Sequence, residues 1–309
     1  MAARSAADWV SSTERPDDFD EFWSDTLSSV DGVPANASFE RVEMRSTDRV
    51  DVFDVRYDSY GGLRIAAWYC KPKGDGPFPG LLIVPGYVSE PMIPKQWAER
   101  GYAALSAAPR GKLRSNAEFN PGYPGLLMHN AIDRDSYAYR GFYSDAIRAF
   151  DLLGARPEVD SSRMGVHGSS QGGALTLLVS GVRPGQVVAA AAGAPYLCSM
   201  MDAATLTHSY PYQEINDHLR LHPEDEPAIR ATYNYYDIHN FASAISSPII
   251  VNIGLRDDVC PPETGYALFD AISSADKKLY PYDDCGHDAG SQIGHAAVVE
   301  EFLAERLSP

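Results

Sequence analysis

The sequence predicts an α/β fold: a mostly parallel central sheet covered by helices on both faces, with an antiparallel lead-in and a helical insertion. Three observations carry that expectation. From Gly80 onward, short apolar runs alternate with helix-like stretches, the pattern of a parallel sheet buried on both sides. Before Gly80, three strand-like segments follow one another, two of them joined by a glycine-containing turn. Between 196 and 245 the strand signals stop and a tract rich in Tyr, His and acidic residues takes over. A chain of 309 residues with 44% hydrophobic content can bury one large core, so residues 1–309 are read as a single domain.

The elements follow in order. Residues 17–30 read as a helix, acidic in the first turn, with Phe19, Phe22, Trp23 and Leu27 on one face at helical spacing. That stripe is core-facing. Strands are expected over 39–45, 50–57 and 63–70, the last two joined across Ser59-Tyr60-Gly61-Gly62 as a hairpin. This makes 17–70 an N-terminal helix and antiparallel strands. The parallel set is drawn at 80–84, 103–107, 164–166, 187–191, 249–253 and 278–281. Between the fourth and fifth of these lies the insertion, 196–245, in a position to roof a site at the strand ends.

The most informative stretch is Gly168-Ser169-Ser170-Gln171-Gly172, directly after the apolar segment 163–167 and before a helical run rich in small residues at 171–179. This is the arrangement of a nucleophile elbow. The turn lifts the serine hydroxyl above the sheet edge, and side chains larger than glycine would collide with neighbouring backbone. Such a serine needs a base, and the base needs an orienting carboxylate, both at the carboxyl ends of strands. Asp257 lies 87 residues after Ser170, following the 249–253 strand, and His287 follows the last strand a further 30 residues on. Asp258 competes with Asp257 on position alone. His167 sits inside the elbow strand and His295 in the terminal helix, while the other histidines fall in loops or the insertion. Only His287 closes a strand. Two backbone amides must hold the oxyanion, and the expected donors are Gln171, after the nucleophile, and Tyr87, at the end of the 80–84 strand. The Tyr87 phenol is expected to be free to line the acyl pocket. No metal or nucleotide motif is present, so neither cofactor nor metal is expected.

Composition limits the partners. A formal charge of −16 repels nucleic acid and anionic membrane, and leaves a small neutral or cationic substrate as the easier partner, here a small ester for the serine chemistry above. The first nine residues lack the apolar core of a signal peptide and no run is long enough to span a bilayer, so a cytoplasmic protein is expected. Cys70, Cys198, Cys260 and Cys285 are irregularly spaced and read as buried free thiols, with a Cys260–Cys285 bridge left open.

At this point the chain resembles the acetyl xylan esterase and cephalosporin C deacetylase group, carbohydrate esterase family seven of the α/β-hydrolase superfamily. The resemblance runs from Asp18-Phe19-Asp20-Glu21-Phe22-Trp23 to the final helix. It rests on Gly86-Tyr87, Arg110-Gly111, Tyr139-Arg140-Gly141, the Ser170 elbow with Gly173, Tyr210-Pro211-Tyr212-Gln213-Glu214-Ile215-Asn216, Tyr236-Asp237-Ile238, Gly254-Leu255-Arg256-Asp257 with Pro261-Pro262, and Gly286-His287. It implies Ser170 as nucleophile, His287 as base, Asp257 rather than Asp258 as its orienter, and Tyr87 and Gln171 as oxyanion donors. It also implies a homo-oligomer, since the family assembles as hexameric rings. Three residues depart from the family pattern: Pro85 replaces a histidine, Lys112 a glutamine and Asp288 a glutamate. Hydrogen bonding around the site should therefore differ while the triad chemistry stands. The expected function is a serine esterase for acetyl or other short acyl esters. The rivals are a peptidase or esterase with a non-carbohydrate substrate, and a catalytically silent oligomeric binding protein.

Overall fold

The computed structural model describes residues 6–122 and 125–307; the signal-peptide reading of the first five residues lies outside them. Among the described residues, nine strands form one sheet in the order β1-β2-β3-β5-β4-β6-β7-β8-β9. They are β1 (Ser38–Arg41), β2 (Val50–Asp58), β3 (Arg64–Pro72), β4 (Phe78–Val84), β5 (Ala103–Ala108), β6 (Val159–Ser169), β7 (Val187–Gly193), β8 (Ile249–Gly254) and β9 (Lys277–Tyr282). The lead-in β1-β2-β3 is antiparallel and joins β5 antiparallel; every pairing from β5 to β9 is parallel. Each expected strand is present. The first is shorter than expected, because Glu43–Arg45 turns into a 3-10 helix in place of extended chain.

Side chains alternate across the sheet, which is why its central strands read as unbroken apolar runs. Leu82 and Val84 of β4 and Ala190 and Ala192 of β7 face one core; Leu81, Ala189 and Ala191 face the other. The smaller core is closed by Trp97 of α2 (Lys95–Glu99) and by Val299, Leu303 and Leu307 of α10 (His295–Leu307). The larger is covered by α1 (Phe19–Asp31), α3 (Ala138–Gly154), α4 (Gln171–Val182) and the insertion. The insertion is helical as expected, built from α5 (Met200–Leu206), α6 (Gln213–Leu221), α7 (Glu226–Asn234) and α8 (His239–Ala242); α9 (Pro262–Ala271) follows β8.

Two polar fixtures set the frame around the strand ends. Arg110, after β5, makes a two-pronged ion pair with Asp145 of α3, with Nε to Oδ2 at 2.9 Å and Nη2 to Oδ1 at 2.8 Å, and donates from Nη2 to the Tyr60 carbonyl at 2.8 Å. A side chain at Gly141 would put its Cβ 2.1 Å from that guanidinium, which accounts for the glycine one turn before Asp145. Asp237 accepts the backbone N–H groups of Ser199, Met200 and His239 at 2.7–3.0 Å and so pins both ends of the insertion. The α1 stripe packs where expected: Phe19 and Trp23 meet Phe241 edge-on, and Trp23 Nε1 donates to the Tyr235 carbonyl at 2.8 Å. No helix among the described residues is long and apolar enough to cross a membrane.

Candidate active site

Ser170 stands between the end of β6 and the start of α4 with φ 60° and ψ −120°, a conformation L-residues seldom adopt outside such turns. Its backbone is fixed on both sides: its N–H donates to Gly193 O at 2.8 Å, and its carbonyl accepts from Ala174 and Tyr196. Gln171 opens α4, so its N–H is one of the first-turn amides with no acceptor inside the helix. The Gln171 side chain is buried and donates from Nε2 to Tyr139 Oη at 2.7 Å, fastening the elbow to α3.

Asp257 and His287 come together although 30 residues separate them. Asp257 is almost fully buried, and its Oδ1 accepts the N–H groups of Val259 and Cys260, each at 2.8 Å. Its Oδ2 lies 2.8 Å from His287 Nδ1. The carboxylate is thus held by its own loop and offers its second oxygen to the imidazole, which favours the tautomer with the proton on Nδ1 and leaves Nε2 as base. Asp258 points elsewhere: its carboxylate reaches only Ser209 Oγ, at 3.5 Å. Position along the chain left the two aspartates open; the geometry brings Asp257, not Asp258, to the histidine.

Ser170 and His287 share one cavity of about 600 Å³, along with Tyr87, Glu214, Pro211 and Val259. The insertion supplies Tyr210, Pro211 and Glu214, so it does roof the strand ends. The serine hydroxyl makes a contact with the Cys260 thiol, whose pKa burial and the Asp257 charge push well up. All four cysteines are free and buried, so the bridge left open between Cys260 and Cys285 is not formed. Asp257, Cys260 and His287 bring donor atoms within 4.8 Å of one another, but Asp257 Oδ1 is occupied by two amides and Oδ2 by the imidazole. A thiol held in its protonated form is a poor ligand as well, so this donor set does not suit a metal.

Tyr87 differs from expectation in one respect. Its ring lines the cavity, but its phenol is not free: it donates to Glu214 Oε1 at 2.9 Å and accepts the Leu127 N–H at 3.1 Å. Burial pushes its pKa well up and raises that of Glu214 to about 7. Two residues carry polar roles that the sequence did not assign. Glu214 lay within a quoted motif, yet nothing in its spacing told that it would turn inward. Lys112 reads in the sequence only as a departure from the family pattern, and its Nζ donates to Gly86 O at 2.6 Å and Tyr87 O at 2.5 Å, on the expected oxyanion loop. Two of the other histidines are held in the fold away from Asp257. His167 packs in β6 with Nδ1 against Ala191 O, and His295 is buried beside Tyr282.

Known proteins share this architecture along its whole length. A family model described as acetyl xylan esterase matches residues 4–305. An acetyl esterase, Axe7A, of Xylanibacter ruminicola is 30% identical over 282 residues, covering 86% of this chain and 62% of that protein. The chain therefore spans less than two thirds of that relative. An acetyl xylan esterase structure from Paenibacillus sp. R4 superposes with a TM-score of 0.91 at 32% identity, covering 99% of this chain and all of that one. Acetyl xylan esterase 1 from Thermoanaerobacterium sp. JW/SL YS485 gives 0.90 at 26% identity, with 100% and 99% coverage.

Proposed function

The chain belongs to the acetyl xylan esterase family, and from that premise we propose that it is a serine esterase removing acetyl or similarly short acyl groups from carbohydrates or other small esters. The observation that carries this reading is the buried Asp257 held 2.8 Å from His287, whose imidazole opens with Ser170 into one cavity. In the reaction, Ser170 Oγ attacks the acyl carbonyl while its proton passes to His287 Nε2. The N–H groups of Tyr87 and Gln171 hold the oxyanion. Collapse expels the alcohol, which takes the proton from His287, and leaves an acyl-serine. A water then gives a proton to the same nitrogen and attacks the acyl carbon, and collapse breaks the bond to Ser170 Oγ, which takes the proton back from His287 as the carboxylic acid leaves. Asp257 keeps the imidazole oriented and stabilises its cationic form. Swinging the Ser170 hydroxyl from Cys260 toward His287 completes the array, since such bonds often tighten only with substrate bound. No cofactor takes part in this scheme. A cytoplasmic location and a homo-oligomer, of the hexameric kind the family resemblance implies, belong to the same reading.

The test is the initial rate on p-nitrophenyl acetate, butyrate and octanoate, with Ser170→Ala as the blank. We expect fast acetate turnover that falls steeply with acyl length and vanishes in the variant. Rates that rise with length would replace the short-acyl reading by a broader esterase, amide turnover exceeding ester turnover would favour a peptidase, and activity surviving in Ser170→Ala would remove that serine from the mechanism.

A further inference from the structure

Lys112 is only 5% exposed, yet no ion-pair partner lies within salt-bridge distance among the described residues. Its ammonium rests on two main-chain carbonyls, Gly86 O at 2.6 Å and Tyr87 O at 2.5 Å. Burying an unpaired cation is unfavourable, and a neutral amide donor would brace the same carbonyls without that penalty. The charge must therefore be sought in what the carbonyls belong to.

Gly86 O and the Tyr87 N–H are two ends of one peptide unit. The unit is trans, so its C=O and N–H point in opposite directions. Lys112 lies in a smaller cavity with Glu90, Arg110 and Phe142, while Gly86 and Tyr87 also border the cavity of Ser170 and His287. A cation held on the carbonyl from the far side aims the N–H away from itself. It also draws electron density toward the oxygen and strengthens the N–H as a donor, as hydrogen bonds in series do.

We infer that Lys112 is a positioning residue of the oxyanion hole, its ammonium aiming and polarising the Tyr87 N–H through the Gly86–Tyr87 peptide. The inference rests on the esterase reading above. Lys112 never meets substrate; it acts on the group that does. Burial lowers its pKa to about 8, with only the more distant Glu90 acting to raise it. The other charged or titratable groups around it are Arg110, which is paired with Asp145, and the Tyr87 phenol, which burial keeps neutral; Glu214 lies behind Tyr87. Burial raises Glu214 to about 7, and the glutamine variant below separates its titration from that of the lysine.

The experiment compares wild type with Lys112→Met and Lys112→Gln on p-nitrophenyl acetate. We expect kcat to fall about tenfold in the methionine variant and by less in the glutamine variant, with KM moved less than about twofold, because the loss falls on the transition state. Affinity for a boronic acid, which forms a tetrahedral adduct on the serine, should weaken in step with kcat. Wild-type kcat should decline as pH rises through about 8, and the glutamine variant should lack that decline. The inference is overturned by variants that keep kcat within about twofold, by a fall in kcat with boronate affinity unchanged, or by an identical pH profile in the glutamine variant. Should neither variant fold, Lys112→Arg, which keeps its charge throughout, takes their place: a profile without the wild-type decline above about pH 8 supports the inference and an unchanged profile overturns it. Failure of the esterase reading shows separately, as activity that survives Ser170→Ala.

Discussion

At Asp257 the two carboxylate oxygens do different things. Oδ1 fixes the loop through the amides of Val259 and Cys260, and Oδ2 meets His287 Nδ1. An asparagine there would keep the first function and reverse the second, since its NH2 would face Nδ1 and force the proton onto Nε2. We expect Asp257→Asn to lower kcat by about 10³–10⁴-fold while KM and Tm change little. Asp258→Asn should stay within about twofold, because the one hydrogen bond its carboxylate makes among the described residues is the 3.5 Å approach of Ser209; a larger loss from Asp258 than from Asp257 would invert the assignment. What the sequence made legible at this scale was residue type and place in the chain. Ser170 and His287 follow from strand ends and glycines. The choice between adjacent aspartates does not, because one residue turns a loop side chain through a large angle, and only the family resemblance separated them beforehand. Glu214 and Lys112 were less legible still. Each looks like a solvated charge in one dimension, and each folds inward onto Tyr87.

Among the elements, α4 is pressed against the end of β4. A Cβ on Gly172 would lie 2.3 Å from the Val84 carbonyl oxygen, backbone that cannot yield without moving the elbow. Gly32 offers the contrast. It ends α1 in right-handed helical geometry, and a Cβ there would meet its nearest atoms at 3.5 and 3.6 Å. We expect Gly172→Ala to cost about 1–3 kcal/mol and to lower kcat with Tm, and Gly32→Ala to be neutral or stabilising by up to about 1 kcal/mol. Thermal unfolding and acetate turnover of both variants check this; an unaffected Gly172→Ala enzyme would mean the elbow is less tightly seated. The strands were legible because both faces of the sheet are buried, which leaves runs such as 249–253 apolar at every position. Helix α3 was not read from the sequence. It is buried on most of its surface and carries Asp145 inward, so its polar and apolar faces do not separate cleanly. The insertion was legible only as the absence of strands, its internal helices being short and joined by turns.

Over the whole molecule, two opposing forces bear on self-association. A net charge of −16 on a 33.7 kDa chain makes copies repel one another. Against this, Val88, Met92 and Leu113 are 92%, 76% and 72% exposed, on two loops linked by the Leu113 N–H donating to Glu90 Oε1 at 2.8 Å. Large apolar side chains at that exposure favour burial against another surface. The sequence carried the charge, but how the β4–α2 and β5–α3 loops meet is something no local pattern records. If the apolar term wins, light scattering should give a mass several times that of the chain, and raising salt should strengthen the association by screening the repulsion. Replacing Met92 and Leu113 by aspartate should then yield a smaller species with unchanged circular dichroism. A monomer at all salt concentrations would remove the oligomer from the proposed function, and an oligomer indifferent to both substitutions would place its interface on another face.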